Sequence, residues 1–371
     1  MSGLALWLLL LIFVAAAAAI WVAGTQLSNQ TDVLSTRLHL GAALGGLIML
    51  AIATNLPEIA ITVSAALSGN VGVAVGNILG GIAIQTVVLV ALDAFGIRGS
   101  RPLTYRAASL VLVLEAALVV AVLGVVVAGS QLPKTLIWWR LAPAAVIIAV
   151  LWAVGLLLLK RAGAKLPWHE NGQAPDGQEH PRGHSQHQNE QKATANGTST
   201  AKSAGIFGVA AVVTLIAGVV LERSGEAVAT HIGLSGVLFG ATILAAATSL
   251  PELSTGLTSV RNKDYQLAMS DIFGGNAFLP VLFLVASLIS GKAVLPQAHA
   301  TDIYLTALGI VLTLVYGGPV VPPATTDRPD GHRLVDRAGS VRDRGGGPVR
   351  HCRRSLTLTV VTISGRRHLW R

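Results

Sequence analysis

The sequence predicts an all-α polytopic membrane protein made of two inverted-topology repeats, on three observations. First, 52% of the 371 residues are apolar and only 12% charged, with a mean hydropathy of +0.64; a soluble globular chain carries roughly twice that charged fraction. Second, apolar runs recur along the chain at lengths near the ~20 residues a membrane-crossing helix needs. Third, two short sequence blocks return at one fixed separation. A soluble enzyme, a secreted disulfide scaffold and a disordered chain are excluded by the first two.

Nine apolar segments fall near 4–24, 38–68, 71–96, 107–128, 137–159, 205–221, 233–260, 265–290 and 302–317. The first lacks the basic leader of a signal peptide, since only Met1, Ser2 and Gly3 precede it, and is read as an uncleaved span. Placing the N-terminus outside puts twelve basic residues in inside loops: Arg37, Arg98, Arg101, Arg106, Lys160, Arg161, Lys165, Arg182, Lys192, Lys202, Arg261 and Lys263. Lys134, Arg140, Arg223 and Lys292 fall outside, so the positive-inside bias selects this orientation in a bacterial-type inner membrane.

Residues 1–159 form the first transmembrane half and 205–317 the second, joined by a polar cytoplasmic loop over 160–204. That loop carries His169, His180, His184 and His187, whose spacing matches no closed ligand set; it reads as a solvated linker. Residues 318–371 differ in character. Within them 327–371 hold 11 Arg against 4 Asp, which accounts for +7 of the net charge of +9. The basicity is therefore a property of the tail and gives no nucleic-acid surface. This segment is expected to be disordered at the inner leaflet, or an aberrant, frame-shifted end in place of a tenth helix, missing or scrambled. The one cysteine, Cys352, lies in it and forms no intrachain disulfide.

The repeat carries the chemistry. Ala53-Thr54-Asn55-Leu56-Pro57-Glu58-Ile59 returns 194 residues later as Ala247-Thr248-Ser249-Leu250-Pro251-Glu252-Leu253. At the same separation Gly76-Asn77-Ile78-Leu79-Gly80-Gly81 faces Ser270-Asp271-Ile272-Phe273-Gly274-Gly275. The copies cover about 38–96 and 233–290, and five spans separate their starts, so they run in opposite senses. Inverted repeats with interrupted helices meeting at the midplane are how many secondary transporters build a substrate site.

Pro57 and Pro251 lack an amide hydrogen and clash with the carbonyls of Ala53 and Ala247. Beside them stand Glu58 and Glu252, acids that are costly at membrane depth and so read as functional. Thr54 and Thr248 share their helical face. Two such copies brought together give an all-oxygen cavity of formal charge −2, suited to a hard cation such as calcium. Glu58 and Glu252 are the expected metal contacts. Asn55, Ser249, Gln85, Asn77 and Asp271 are further candidates for ion binding, and Asp271, inside an apolar span, is a candidate third acid or proton carrier. The glycine pairs are expected to allow close helix packing, and Asp93 and Glu115 to hold helix ends or packing contacts. No ATP-binding loop is present, so no cofactor and no enzyme activity are expected. The partners are the lipid bilayer and small cations.

These two motifs and the Gly-Asn-Ile-Leu-Gly-Gly block resemble the sodium/calcium exchanger membrane family of the cation/calcium antiporter superfamily, over about residues 1–317. The resemblance implies ten helices in two inverted five-helix halves, with calcium on Glu58 and Glu252, and sodium bound with help from Thr54, Thr248 and backbone carbonyls. The function it implies is antiport of Ca2+ against Na+ by alternating access at a midplane two-glutamate site. The sequence departs from the family where serine hydroxyls are replaced by Gly81 and Gly275, Gln85 keeps an amide, and Leu279 offers no ligand. That leaves Ca2+/H+ or Na+/H+ exchange on the same fold as the alternative, and a non-transporting cation sensor as a further one.

Overall fold

The computed structural model describes residues 4–38, 47–97, 102–107, 109–164, 197–261 and 263–317, with single positions at 191 and 194. The described residues are helical, without strands, and seven of their helices are long and apolar enough to cross a membrane. The His-bearing stretch and the Arg-rich tail lie outside the described residues.

The first helix, α1 (Leu6–Arg37), has 32 residues, and its counterpart α7 (Thr200–Ile232) has 33. At 1.5 Å per residue each is about 50 Å long, longer than the ~30 Å hydrocarbon layer. Two boundaries therefore differ from the sequence reading. The loop expected to run to 204 ends earlier, because Ser199 caps α7 by accepting from the Lys202 amide at 3.2 Å. The span expected to end at 221 continues through Glu222 and Arg223 to Gly233, which closes it with φ +73.

Among the described residues, two of the apolar segments are broken at a single non-helical residue ahead of a proline. In the first, α2 (Leu47–Thr54) stops at Asn55 and α3 (Leu56–Leu67) begins after it. In the second, α8 (Gly236–Phe239) passes through a π-helical turn at Gly240–Leu244 into α9 (Ala245–Thr248), stops at Ser249, and resumes as α10 (Leu250–Arg261). Asn55 has φ −88 and ψ 12, and Ser249 has φ −82 and ψ 3, so both breaks use one local conformation. The cause is also shared: a proline two residues on cannot donate to the ladder, and the break residue's side chain turns back onto the carbonyl four residues earlier. Asn55 Nδ2 donates to Ala51 O at 2.6 Å, and Ser249 Oγ to Ala245 O at 2.8 Å.

The helices after each break also correspond. α4 (Val71–Ala91) starts 194 residues before α11 (Tyr265–Phe278), which continues through a 3-10 turn at Leu279–Val281 into α12 (Leu282–Ser290). The interruption in the second copy falls on Pro280, where the first copy has Thr86. The remaining spans are α5 (Leu110–Ser130), α6 (Pro143–Ala164) and α13 (Ala300–Gly317).

One apolar core packs α4, α5, α6, α11 and α12 around Ile78, Val119, Phe273 and Phe283. A second joins α1, α3, α4 and α7 through Ile20, Ile61, Ala74 and Leu221. Gly80 packs against the backbone of Ala241, a separation that a Cβ would close entirely. α1 and α7 also exchange seats with the two breaks. A Cβ on Gly24 would stand 2.7 Å from Pro251 Cβ, and one on Gly218 would stand 2.9 Å from Ala60 Cβ and 3.2 Å from Pro57 O. Gly24 and Gly218 are themselves 194 residues apart. Each copy's long helix thus lies against the other copy's broken one.

Contacts between helix ends give the levels of the chain. Arg37 Nη1 donates to Thr198 O at 2.8 Å, and the Arg106 guanidinium lies 5.4 Å above the Tyr265 ring. At other ends, Asn70 Nδ2 donates to Glu226 Oε1 at 2.6 Å, and Arg140 Nη1 to Leu288 O at 3.2 Å.

Candidate functional site

The sequence motifs meet in the interior. Glu58, Thr248, Asn55, Asn77 and Gln85 have no exposed surface, and Thr54, Ser249, Glu252 and Asp271 are buried with them. Pro57 and Glu58 open the first turn of α3, and Pro251 and Glu252 that of α10. Opening a helix is what holds both acids at the breaks: a carboxylate in a first turn faces free amide ends and the positive pole of the helix.

Gln85 of α4 bridges the two copies. Its Nε2 lies 3.2 Å from Glu252 Oε1 and 3.5 Å from Asn55 Oδ1, so one amide joins the second copy's acid to the first copy's break. Glu58 and Asp271 both lie near enough to Glu252 for their charges to repel it, and Thr248 stands beside the Glu58 carboxylate. Asp271 Oδ2 accepts from Thr255 Oγ1 at 2.8 Å, one turn along α10 from Glu252. Gly275 leaves the space that the centre needs, since a Cβ there would stand 3.1 Å from Asn55 Nδ2 and 3.2 Å from Gln85 Oε1.

Among the described residues, the two Glu58 oxygens, Glu252 Oε2, Asp271 Oδ1, Gln85 Oε1 and Asn276 Oδ1 are buried acceptors with no hydrogen-bond partner. A buried polar group without a partner costs about 1–3 kcal/mol, and more when charged. Five of these oxygens belong to Glu58, Glu252, Asp271 and Gln85, and orphaned oxygens on three carboxylates and an amide have the donor chemistry of a hard-cation site. The carboxylates alone do not form one. Among the described residues no group of three His, Cys, Asp or Glu converges on a metal position, so an ion held here must also draw on amide, hydroxyl or carbonyl oxygens.

Not every candidate joins this set. The Thr54 hydroxyl donates to Leu50 O at 3.1 Å and that of Thr248 to Ala245 O at 3.1 Å, leaving only their oxygen lone pairs for an ion. Asn77 is fully buried, neither its Nδ2 nor its Oδ1 has a partner, and it lies two turns along α4 from Gln85. Asp93 accepts from the Leu103 amide at 2.7 Å and Glu115 accepts from Ser270 at 2.6 Å, the helix-end and packing roles expected of them.

Three further polar positions escaped the sequence reading. Thr255 positions Asp271. Asn276 donates to Thr86 at 2.9 Å from a fully buried position. Glu222, 1% exposed, accepts from Ser64 of α3 at 3.1 Å. The signal for Asn276 was its place within an apolar run, since the repeat sets it against Ile82; Glu222 had none, because a charged residue after an apolar run reads as the end of a span.

The sodium/calcium exchanger protein family model matches residues 8–160 and 202–331, most of the chain and both copies of the motif. The chain belongs to this family. It is 27% identical over 259 residues to inner membrane protein YrbG of Escherichia coli K12, covering 69% of this chain and 72% of that protein. Among solved structures, the H+/Ca2+ exchanger CAX superposes with a TM-score of 0.61 at 15% identity, covering 83% of this chain and 75% of that one. The sodium-calcium exchanger NCX_Mj does so with 0.51 at 16% identity, covering 83% and 90%. At these identities the likeness is one of fold. Family and fold together make this a multi-pass membrane protein of the cation/calcium antiporter type.

Proposed function

We propose that the protein is a secondary active antiporter that exchanges Ca2+ for Na+ by alternating access at one midplane site. The observation that carries the reading is the set of buried, unpartnered oxygens gathered around Glu58 and Glu252 where two broken helices meet. Glu58 and Glu252 hold whichever ion is present. Asn55, Gln85 and the lone pairs of Thr54, Thr248 and Ser249 complete its shell, and Asp271 stands beside it. Two carboxylates balance one Ca2+ or two Na+, so the ions compete for one charge-matched cavity. That competition is what makes an exchanger rather than a leak: an empty pair of acids in a low-dielectric interior is costly, so the site changes sides loaded.

The two copies run antiparallel in this reading, with the N-terminus outside. The end contacts support it. Arg37–Thr198 and Arg106–Tyr265 join ends assigned to the inside, and Asn70–Glu226 and Arg140–Leu288 join ends assigned to the outside. α3 then ends on the side opposite to α10.

Asp271 favours a second reading, proton coupling on the same fold. It is a third buried carboxylate, held by Thr255 with one oxygen free, and could carry H+ in exchange for the metal. Labelled calcium uptake into proteoliposomes separates the readings. An outward sodium gradient should drive uptake, and Glu252→Ala should abolish it. Full flux in Glu252→Ala, or no gradient-driven flux from folded protein, refutes antiport at this site. Uptake driven by a pH gradient with no sodium present assigns the coupling to protons.

A further inference from the structure

The outer wall of the α1–α7 pair carries a groove that the exchange site does not use. This open trough has a volume of about 880 Å3, with Ala18, Val22 and Gln26 on α1 and Lys202, Gly205 and Val213 among its residues on α7. Its walls are apolar except at one end. Along α7 it extends from Lys202 to Val213, eleven residues or about 16 Å at the helical rise. That is close to half the ~30 Å hydrocarbon thickness, the depth of one leaflet. Val22 is 61% exposed, so the groove opens outward to the surface that faces the bilayer rather than into the protein.

The charged end fixes the orientation of an occupant. Lys202 lies at the mouth, in the first turn of α7, and Arg37 is held four residues before it on the Thr198 carbonyl. Among the described residues that line the groove none is acidic. Both cations fall on the side that the charge distribution assigns to the cytoplasm, where anionic lipid headgroups concentrate positive side chains. Small residues make the trough: a Cβ on Gly205 meets no atom within 4 Å, so the space there is open.

We propose that this groove is a binding site for one anionic phospholipid of the inner leaflet, with an acyl chain along the α1–α7 trough and its phosphate at Lys202. The site adjoins the exchange machinery, because Val22 and Gln26 flank Gly24, on which Pro251 is seated. The proposal rests on membrane residence and not on antiport, so its test reads lipid rather than flux.

The full-length protein, delipidated in detergent, is titrated with phosphatidylglycerol and with phosphatidylcholine of the same chains, and bound lipids are counted by native mass spectrometry. The first bound lipid should prefer phosphatidylglycerol by about fivefold, the ratio corresponding to roughly one lysine at an anionic surface. Lys202→Gln should remove that preference while keeping a lipid bound. Gly205→Phe should fill the trough without striking protein and so lose that lipid of either headgroup, with its melting temperature showing that it stays folded. Inorganic phosphate should not displace the lipid. An unchanged preference in Lys202→Gln, an unchanged lipid count in folded Gly205→Phe, or displacement by phosphate overturns the proposal.

Discussion

Glu58→Gln should move affinity and stability in opposite directions. Neither carboxylate oxygen of Glu58 has a protein partner, whereas Glu252 keeps one oxygen on Gln85. In the proposed site the interactions of Glu58 are therefore made with the ion. Removing one partner of a buried, compensated charge pair costs about 3–5 kcal/mol. At 1.4 kcal/mol per decade, calcium affinity should fall by roughly two to three and a half orders of magnitude. The ion-free protein should respond the other way. A neutral amide of the same size replaces an acid that faces the charge of Glu252 in a desolvated interior. A gain of about 1–3 kcal/mol corresponds to a rise of several degrees in melting temperature for a chain of this size. Isothermal titration with calcium gives the first quantity and thermal unfolding in a chelator gives the second. A purely structural acid would show the reverse, with stability falling and affinity intact, and that result would refute the reasoning.

Two other perturbations test neighbouring parts of the argument. Gly24→Leu and Gly218→Leu insert side chains where even a Cβ would lie 2.7 Å from Pro251 and 2.9 Å from Ala60; each should destabilise by about 1–3 kcal/mol and slow transport more than it weakens ion binding, measured by initial flux against equilibrium titration. Normal flux in both would show that the seats are not needed. Gln85→Leu gives the first copy the residue the second has at Leu279 and strips the donor from Glu252 Oε1. The ion-free form should lose about 1–3 kcal/mol, and because Leu removes an oxygen of the proposed ion shell, calcium should raise the melting temperature of this variant less than that of the parent; an equal calcium-induced shift counts against Gln85 as an ion contact.

What was legible in the sequence was chemistry that a short segment carries by itself. A proline cannot complete a helical ladder wherever it stands, so both breaks could be placed from Pro57 and Pro251, and a glutamate beside each could be expected in the interior. The correspondence of Asn77 with Asp271 came from alignment alone. What was not legible depends on partners distant in sequence. Glu222 is tolerated in the interior because Ser64, 158 residues away, donates to its carboxylate across a helix interface. The sequence pattern extends the loop between the halves to 204 because Lys202 reads as polar surface, while Ser199 starts the helix before it. Gly24 and Gly218 passed as two glycines among 40, since a glycine reports nothing until the atom facing it is known.

Those two glycines bear on how one site could serve two sides. α1 and α7 pack along each other, and each seats the break of the opposite copy. A shift of this pair therefore cannot move Pro57 without also moving Pro251, because both rest on the same two-helix body. In the proposed cycle that coupling opens one side as it closes the other: α3 and α10 lead from the breaks to opposite faces, so a single displacement loosens one seat and tightens the other. Among the described residues, Ser64–Glu222 and Asn70–Glu226 hold α7 to α3 and to the turn that follows it. At the position equivalent to Glu222, α1 carries Ser28, which has no carboxylate to offer.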